Sequence, residues 1–226
     1  MSIDLEELDK FTSYTVNVGA AISPLTLNLP AWCEAFEHDI DAPFLIGGCA
    51  YGFNWEKSSP ASRFVNHNHV EEEYSAQVDA KIRGMVAKGE LVRAHPSAIH
   101  CVSGILAIPK DAGDDVRVCH NLAAPYGDSV NDNQWVPSMR FISVTDALAL
   151  TRAGGWMFKV DISAAYRHMA CHPSFWPLHA LQWPSESGEF YCDTRLPFGS
   201  KGAVACFQRF SNALGRYVAR RIPLAP

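Results

Sequence analysis

The 226-residue sequence predicts an α+β fold rather than a doubly wound sheet, on three observations. Two pairs of β-prone segments, 104–108 with 116–119 and 178–183 with 190–194, flank polar turns as hairpins. A long amphipathic helix is written into 202–220. Strands and helices also alternate irregularly, without the repeated βα units of a parallel sheet.

From 1 to 69 the chain reads as an extended arm with short helix, because the apolar patches 31–36 and 44–46 are cut by Pro24, Pro30, Pro43, Gly47-Gly48 and Pro60. Val70, Tyr74, Val78, Ile82, Met85 and Val86 then recur at helical spacing, with Asn68 and Glu71 as a capping box and Gly89 as the C-terminal stop. The first hairpin closes on a Lys-Asp-Ala-Gly-Asp-Asp turn at 110–115, and the second on Pro-Ser-Glu-Ser-Gly at 184–188. Ser143 and Asp146 cap a helix predicted to run to Gly154-Gly155. The nearly continuous apolar run 156–160 reads as a buried strand that delivers Asp161 at its end. A buried carboxylate needs a cationic partner, and a metal ion or the cap of a following helix would each serve.

In the last predicted helix, Ala203, Val204, Phe207, Phe210, Leu214 and Val218 form the apolar face. Arg216 and Arg220 each lie within about 20° of Arg209 on the opposite side, either as a solvated face or as contacts to phosphates.

Composition narrows the function classes. With 48% hydrophobic and 19% charged residues, wholesale disorder is excluded. The net charge of −5 conceals a division: residues 1–90 hold 14 acids and 6 bases, residues 91–226 hold 10 acids and 13 bases. The more basic part suits a polyanionic partner. Seven scattered cysteines without a CxxC pair predict reduced thiols in an intracellular compartment, cytoplasm or nucleus. No apolar run reaches the roughly 18 residues of a membrane span, and the acidic MSIDLEELDKF is unlike a signal peptide. Asn66-His-Asn-His69 with Cys101 or Cys119 lacks zinc-finger spacing. His168, Cys171 and His172 read as packing and turn residues, and the scattered tryptophans as core rather than a stacking platform.

Three blocks together carry a resemblance: ILAIPKDAGDDVRVCHNLAAPYGDSVND at 105–132, FKVDISAAYRHMACHP at 158–173, and LPFGSKGAVACFQRFSNAL at 196–214. In order and spacing they resemble reverse transcriptases, most closely the type of tyrosine-recombinase (DIRS-like) retrotransposons, over about 71–218. The resemblance implies a right-hand polymerase fold with fingers at 70–145 and a partial palm from 146 to 226, after a connector at 1–69. It implies that Asp161 is the catalytic, metal-binding aspartate, with the Ile162 carbonyl as a further ligand for Mg²⁺ or Mn²⁺. Lys110 and Arg117 would meet the incoming deoxynucleoside triphosphate, and Tyr166 would exclude a 2′-hydroxyl. Phe198 and Gly199 would shape the sugar and base pocket. Lys201, Arg209, Arg216 and Arg220 would contact an RNA or DNA template-primer.

Two departures stand out. Ala203-Val204 replaces the family's usual Ser/Ala-Pro pair, and no aromatic-x-Asp-Asp segment follows. One carboxylate does not fix two metal ions, so the expectation for the chain as given is an inactive, truncated polymerase domain. The alternatives are a non-catalytic nucleic-acid-binding remnant and a decayed retroelement product.

Overall fold

The computed structural model describes residues 28–221 apart from 61, 111–114, 156, 158 and 185–187. The tips of both predicted hairpins, two residues of the predicted 156–160 strand and most of the first half of the 1–69 arm lie outside the described residues.

Within the arm, the apolar patches are helices. α1 (Leu29–Phe36) starts at Asn28, whose side chain accepts from the Ala31 N–H at 3.3 Å, and Pro30 fits its first turn. α2 (Ala42–Tyr51) follows an acidic turn at 37–41. Both pack on the last helix, α5 (Lys201–Arg221), where Trp32, Phe36, Leu45, Cys49 and Ala213 form one core cluster. Trp32 stacks on Phe210 at 5.1 Å.

α3 (Ser75–Ala87) begins later than the spacing predicts, after a 3-10 turn at Glu72–Tyr74. The expected capping box is absent: Asn68 instead donates to the Gln182 carbonyl at 2.9 Å and accepts from the Ile105 N–H at 2.9 Å, joining two sheets. The predicted stop holds. Gly89 has φ +67, its N–H donates to the Val86 carbonyl and that of Glu90 to Met85, the Schellman arrangement.

Five strands form a mixed sheet in the order β1-β3-β6-β7-β2. β1 (Phe64–Val65), β3 (Cys101–Val102) and β6 (Ala180–Trp183) are parallel, while β7 (Glu189–Asp193) runs antiparallel to both β6 and β2 (Leu91–Arg93). The other predicted hairpin, β4 (Ile105–Pro109) with β5 (Val116–His120), forms its own two-stranded sheet, with Ile108 opposite Arg117. Val78 and Ile82 of α3 bury against Leu91, Ile105, Val116, Leu181 and Trp183, each such side chain contributing about 1.5–3 kcal/mol. A second cluster gathers Phe53, Phe175, Trp176 and Leu196 under Ala203 and Cys206 of α5. Val218, expected on the buried face of that helix, is 37% exposed, whereas Ala205, Cys206 and Ala213 are buried.

α4 (Val144–Ala149) has the predicted capping box, with Ser143 Oγ and Asp146 each bonded to the other's backbone N–H, but it ends before Gly154.

Candidate functional site

The structure brings together four of the residues expected to meet a nucleotide. Tyr166 sits in a 3-10 turn, Ala165–His168, entered through Ala164 with φ +50. Its ring lies 5.1 Å from Phe198 and 5.5 Å from Phe207 of α5. The exposed Arg117 of β5 places its guanidinium carbon 6.0 Å from the Phe198 ring centre. Burial raises the Tyr166 phenol above its ordinary pKa. The Phe198 carbonyl accepts from the His120 N–H at 2.9 Å, which ties the 196–199 turn to β5.

Gly199 has φ +109, and a Cβ there would overlap the His120 carbonyl oxygen. Close approach of the chain to β5 is thus one reason for glycine at 199.

Lys110 is engaged elsewhere. Its Nζ meets Asp115 at 2.6 Å, and Lys81 meets the same carboxylate at 2.7 Å. Hydrogen bonds from Lys110 and then Lys81 hold Asp115 at about 2.

Asp161 and Ile162 are exposed, and here the structure corrects the sequence reading. Met157 and Val160 are 78% and 76% exposed, and residues 157 and 159–162 lie in no strand. The physical reason is that a strand requires a hydrogen-bonded neighbour, and among the described strands none pairs with this run. Asp161 offers one hard oxygen ligand, but among the described residues no group of three or more His, Cys, Asp and Glu side chains is placed to hold a metal ion. The described donors do not amount to a complete magnesium site.

A buried ionic cluster beside Tyr166 was missed by sequence reasoning. Arg167 Nη1 donates to Asp193 Oδ2 at 2.7 Å and its Nε to Glu90 Oε2 at 3.0 Å. His120 Nε2 lies 3.3 Å from Asp193 Oδ2, and the Arg195 N–H donates to Asp193 Oδ1 at 2.9 Å. The Asp193 side chain is fully buried and that of Arg167 is 11% exposed. Burial pushes the Asp193 carboxyl up, but the Arg167 charge and then the nearby His120 ring outweigh it, leaving about 2. Nearby His179 is pushed down to about 3, by burial first and by His120 second. The readable sign is a charged residue, Asp193, at the buried end of β7, directly after the buried Tyr191 and Cys192.

The arginine stripe on α5 exists, but it faces carboxylates. Arg216 forks onto Asp39 at 2.9 and 2.6 Å and reaches Asp41 at 2.8 Å. Arg209 donates twice to Asp41 Oδ1, at 2.9 and 2.7 Å, and Arg220 lies 3.6 Å from Asp39. Arg209 also covers the Phe44 ring at 3.7 Å. The Arg216 hydrogen bond holds Asp39 at about 2. Lys201 donates through Nζ to the Asn131 carbonyl at 2.9 Å, and Asn131 Nδ2 donates to the Gly199 carbonyl at 2.8 Å, so the loop preceding residue 134 braces the start of α5.

All seven cysteines are free, six of them buried. Among the described residues no helix is long and apolar enough to cross a membrane.

No protein-family model and no curated protein sequence matches the chain. Solved structures do. The foamy viral protease-reverse transcriptase in complex with double-stranded DNA superposes with a TM-score of 0.59 at 15% identity, covering 76% of this chain and 28% of that one. A prototype foamy virus protease-reverse transcriptase mutant gives 0.54 at 17% identity, covering 76% and 22%. The chain thus spans less than a third of either neighbour. With its mixed sheet, separate β4-β5 hairpin and long α5, the chain has a reverse-transcriptase-like fold.

Proposed function

We propose that the chain supplies the nucleotide- and template-contacting part of a retroelement RNA-directed DNA polymerase of DIRS-like type, with fingers at 70–145 and palm from 146. The observation that carries this reading is the contiguity of Arg117, Phe198 and Tyr166, three residues distant in sequence that meet on one surface. Arg117 is suited to bidentate contact with triphosphate oxygens. The Tyr166 ring, held by Phe198 and Phe207, would lie against the sugar and exclude a 2′-hydroxyl. Phe198 would form the wall between them. A divalent cation would take the Asp161 carboxylate and the Ile162 carbonyl as two of its ligands, would need further ligands beyond them, and would neutralise triphosphate charge. The likeness to foamy virus reverse transcriptases supports the polymerase reading over other uses of an α+β fold.

With one carboxylate at the metal position, these 226 residues bind template-primer and nucleotide without extending a primer. The exposed position of Asp161 favours a second reading, a nucleic-acid-binding module in which Asp161 has no part. Equilibrium binding of fluorescent deoxy- and ribonucleoside triphosphates to the template-primer complex separates the two. The polymerase reading predicts tighter binding of the deoxy form and a ratio that falls at least about tenfold in Tyr166→Ala, the scale of one lost steric or hydrogen-bonded discrimination. Equal affinity for both sugars in the parent chain would rule it out.

A further inference from the structure

We propose that the acidic turn at 37–41 is an intrachain competitor for nucleic acid: its Asp39 and Asp41 carboxylates occupy the positions on the α5 arginines that backbone phosphates would take. The inference rests on the nucleic-acid reading above and concerns how that surface is regulated.

Three features of the contact lead there. First, the geometry is that of phosphate recognition. Two carboxylates offer four oxygens to two guanidinium forks, with Arg216 bidentate on Asp39 and Arg209 converging on one oxygen of Asp41. Second, the two sides differ in freedom. Asp39 is fixed: its side chain is 1% exposed, its Oδ1 accepts from the Asp41 N–H at 2.9 Å, and its backbone N–H and carbonyl are bonded to Phe36 and Ala42. The arginines are open to water, at 45% for Arg209, 35% for Arg216 and 53% for Arg220. An incoming polyanion can draw the guanidinium groups outward without unfolding the turn, provided that its phosphates offset the loss of Asp39's arginine partner. Third, the hairpin that presents the turn is anchored independently by the apolar contacts of Trp32, Phe36 and Leu45. Exchange of ion pairs leaves that packing in place.

The consequence is a surface whose affinity for nucleic acid is set by competition. With the carboxylates engaged, two negative charges offset the three positive charges of the stripe; once they are displaced, up to three arginines can meet phosphates. Each such contact steepens the salt dependence of duplex binding by about 0.9 in log K against log salt.

The test measures binding of a fluorescent template-primer duplex across a salt series for the parent chain, for Asp39→Asn/Asp41→Asn, and for each of these two with Arg209, Arg216 and Arg220 also changed to Gln. The proposal predicts affinity at least about tenfold higher for the Asp→Asn variant at low salt and a slope steeper by about 2 to 3, both abolished by the Arg→Gln changes. Equal affinity for the parent and the Asp→Asn variant, with loss on changing the arginines in the parent, would overturn the competition while leaving nucleic-acid binding at the stripe intact. Absence of binding by every variant would overturn both. Should the Asp→Asn variant fail to fold, the arginine Nε–H signals of the parent chain decide: added duplex must shift those of Arg209 and Arg216, and unchanged signals in the bound state would refute the proposal.

Discussion

Replacing Arg167 by Met severs the cluster that fixes the turn bearing Tyr166. The substitution removes both the 2.7 Å bond to Asp193 and the 3.0 Å bond to Glu90 while keeping an unbranched apolar stem. Asp193, fully buried, is left with His120 at 3.3 Å and the Arg195 N–H, and Glu90, whose side chain is 16% exposed, loses its partner. Breaking a buried ion pair from one side costs about 3–5 kcal/mol, a large share of the 5–15 kcal/mol that stabilises a typical domain. At a urea dependence of about 2 kcal/mol per molar, the unfolding midpoint should fall by about 2 M. Urea denaturation followed by tryptophan fluorescence gives the number. Asp193→Asn completes a double-mutant cycle, and the two changes together should cost less than their sum by at least about 1 kcal/mol. A loss below about 1 kcal/mol for Arg167→Met, or simple additivity in the cycle, would refute the reasoning that this pair pins the turn.

Other outcomes follow from the same geometry. His179, held at about 3 in the fold against 6.5 when unperturbed, stays neutral in the folded chain while the unfolded chain takes up a proton below about 6.5. Stability should therefore fall by about 2 kcal/mol from pH 7 to pH 5, and His179→Leu should flatten that part of the profile in urea melts; an unchanged profile contradicts the assignment. Asp193 acts lower: its carboxyl is depressed to about 2, so its contribution is complete above about 4 and disappears as pH falls toward 2. Gly199→Ala forces a side chain into left-handed backbone against the His120 carbonyl and should cost about 3 kcal/mol or more in thermal melts, whereas a neutral effect would show that the turn can shift.

The elements legible in the sequence are those whose instructions are local. The β4-β5 and β6-β7 hairpins, the Ser143–Asp146 capping box, the Gly89 stop and α5 all rest on spacings of a few residues. The Asn68 cap failed because its amide is spent on Gln182 and Ile105, partners 114 and 37 residues away. The apolar run 156–160 was legible as a strand by composition, but Val160 remains exposed because pairing is decided by neighbours rather than by the segment itself. Of the candidate site, the Arg117, Tyr166, Phe198 and Gly199 grouping was legible only through resemblance, since their positions span 83 residues. The Arg167–Glu90–Asp193 cluster and the acidic turn on the α5 stripe join residues 26 to 177 apart, and no periodicity announces such pairs. The arginine spacing did reveal a common face, yet a sequence of spacings cannot name the anion that meets it.

The measurement that bears most directly on the polymerase reading is photo-crosslinking of a deoxynucleoside triphosphate to the chain on an annealed template-primer with Mg²⁺, with the labelled peptide mapped. The account predicts label on the segments carrying Tyr166 or Phe198, competed by deoxy- but not by ribonucleoside triphosphates, and lost in Arg117→Ala. Label on an unrelated surface, or label at that site undiminished by Arg117→Ala, would contradict it.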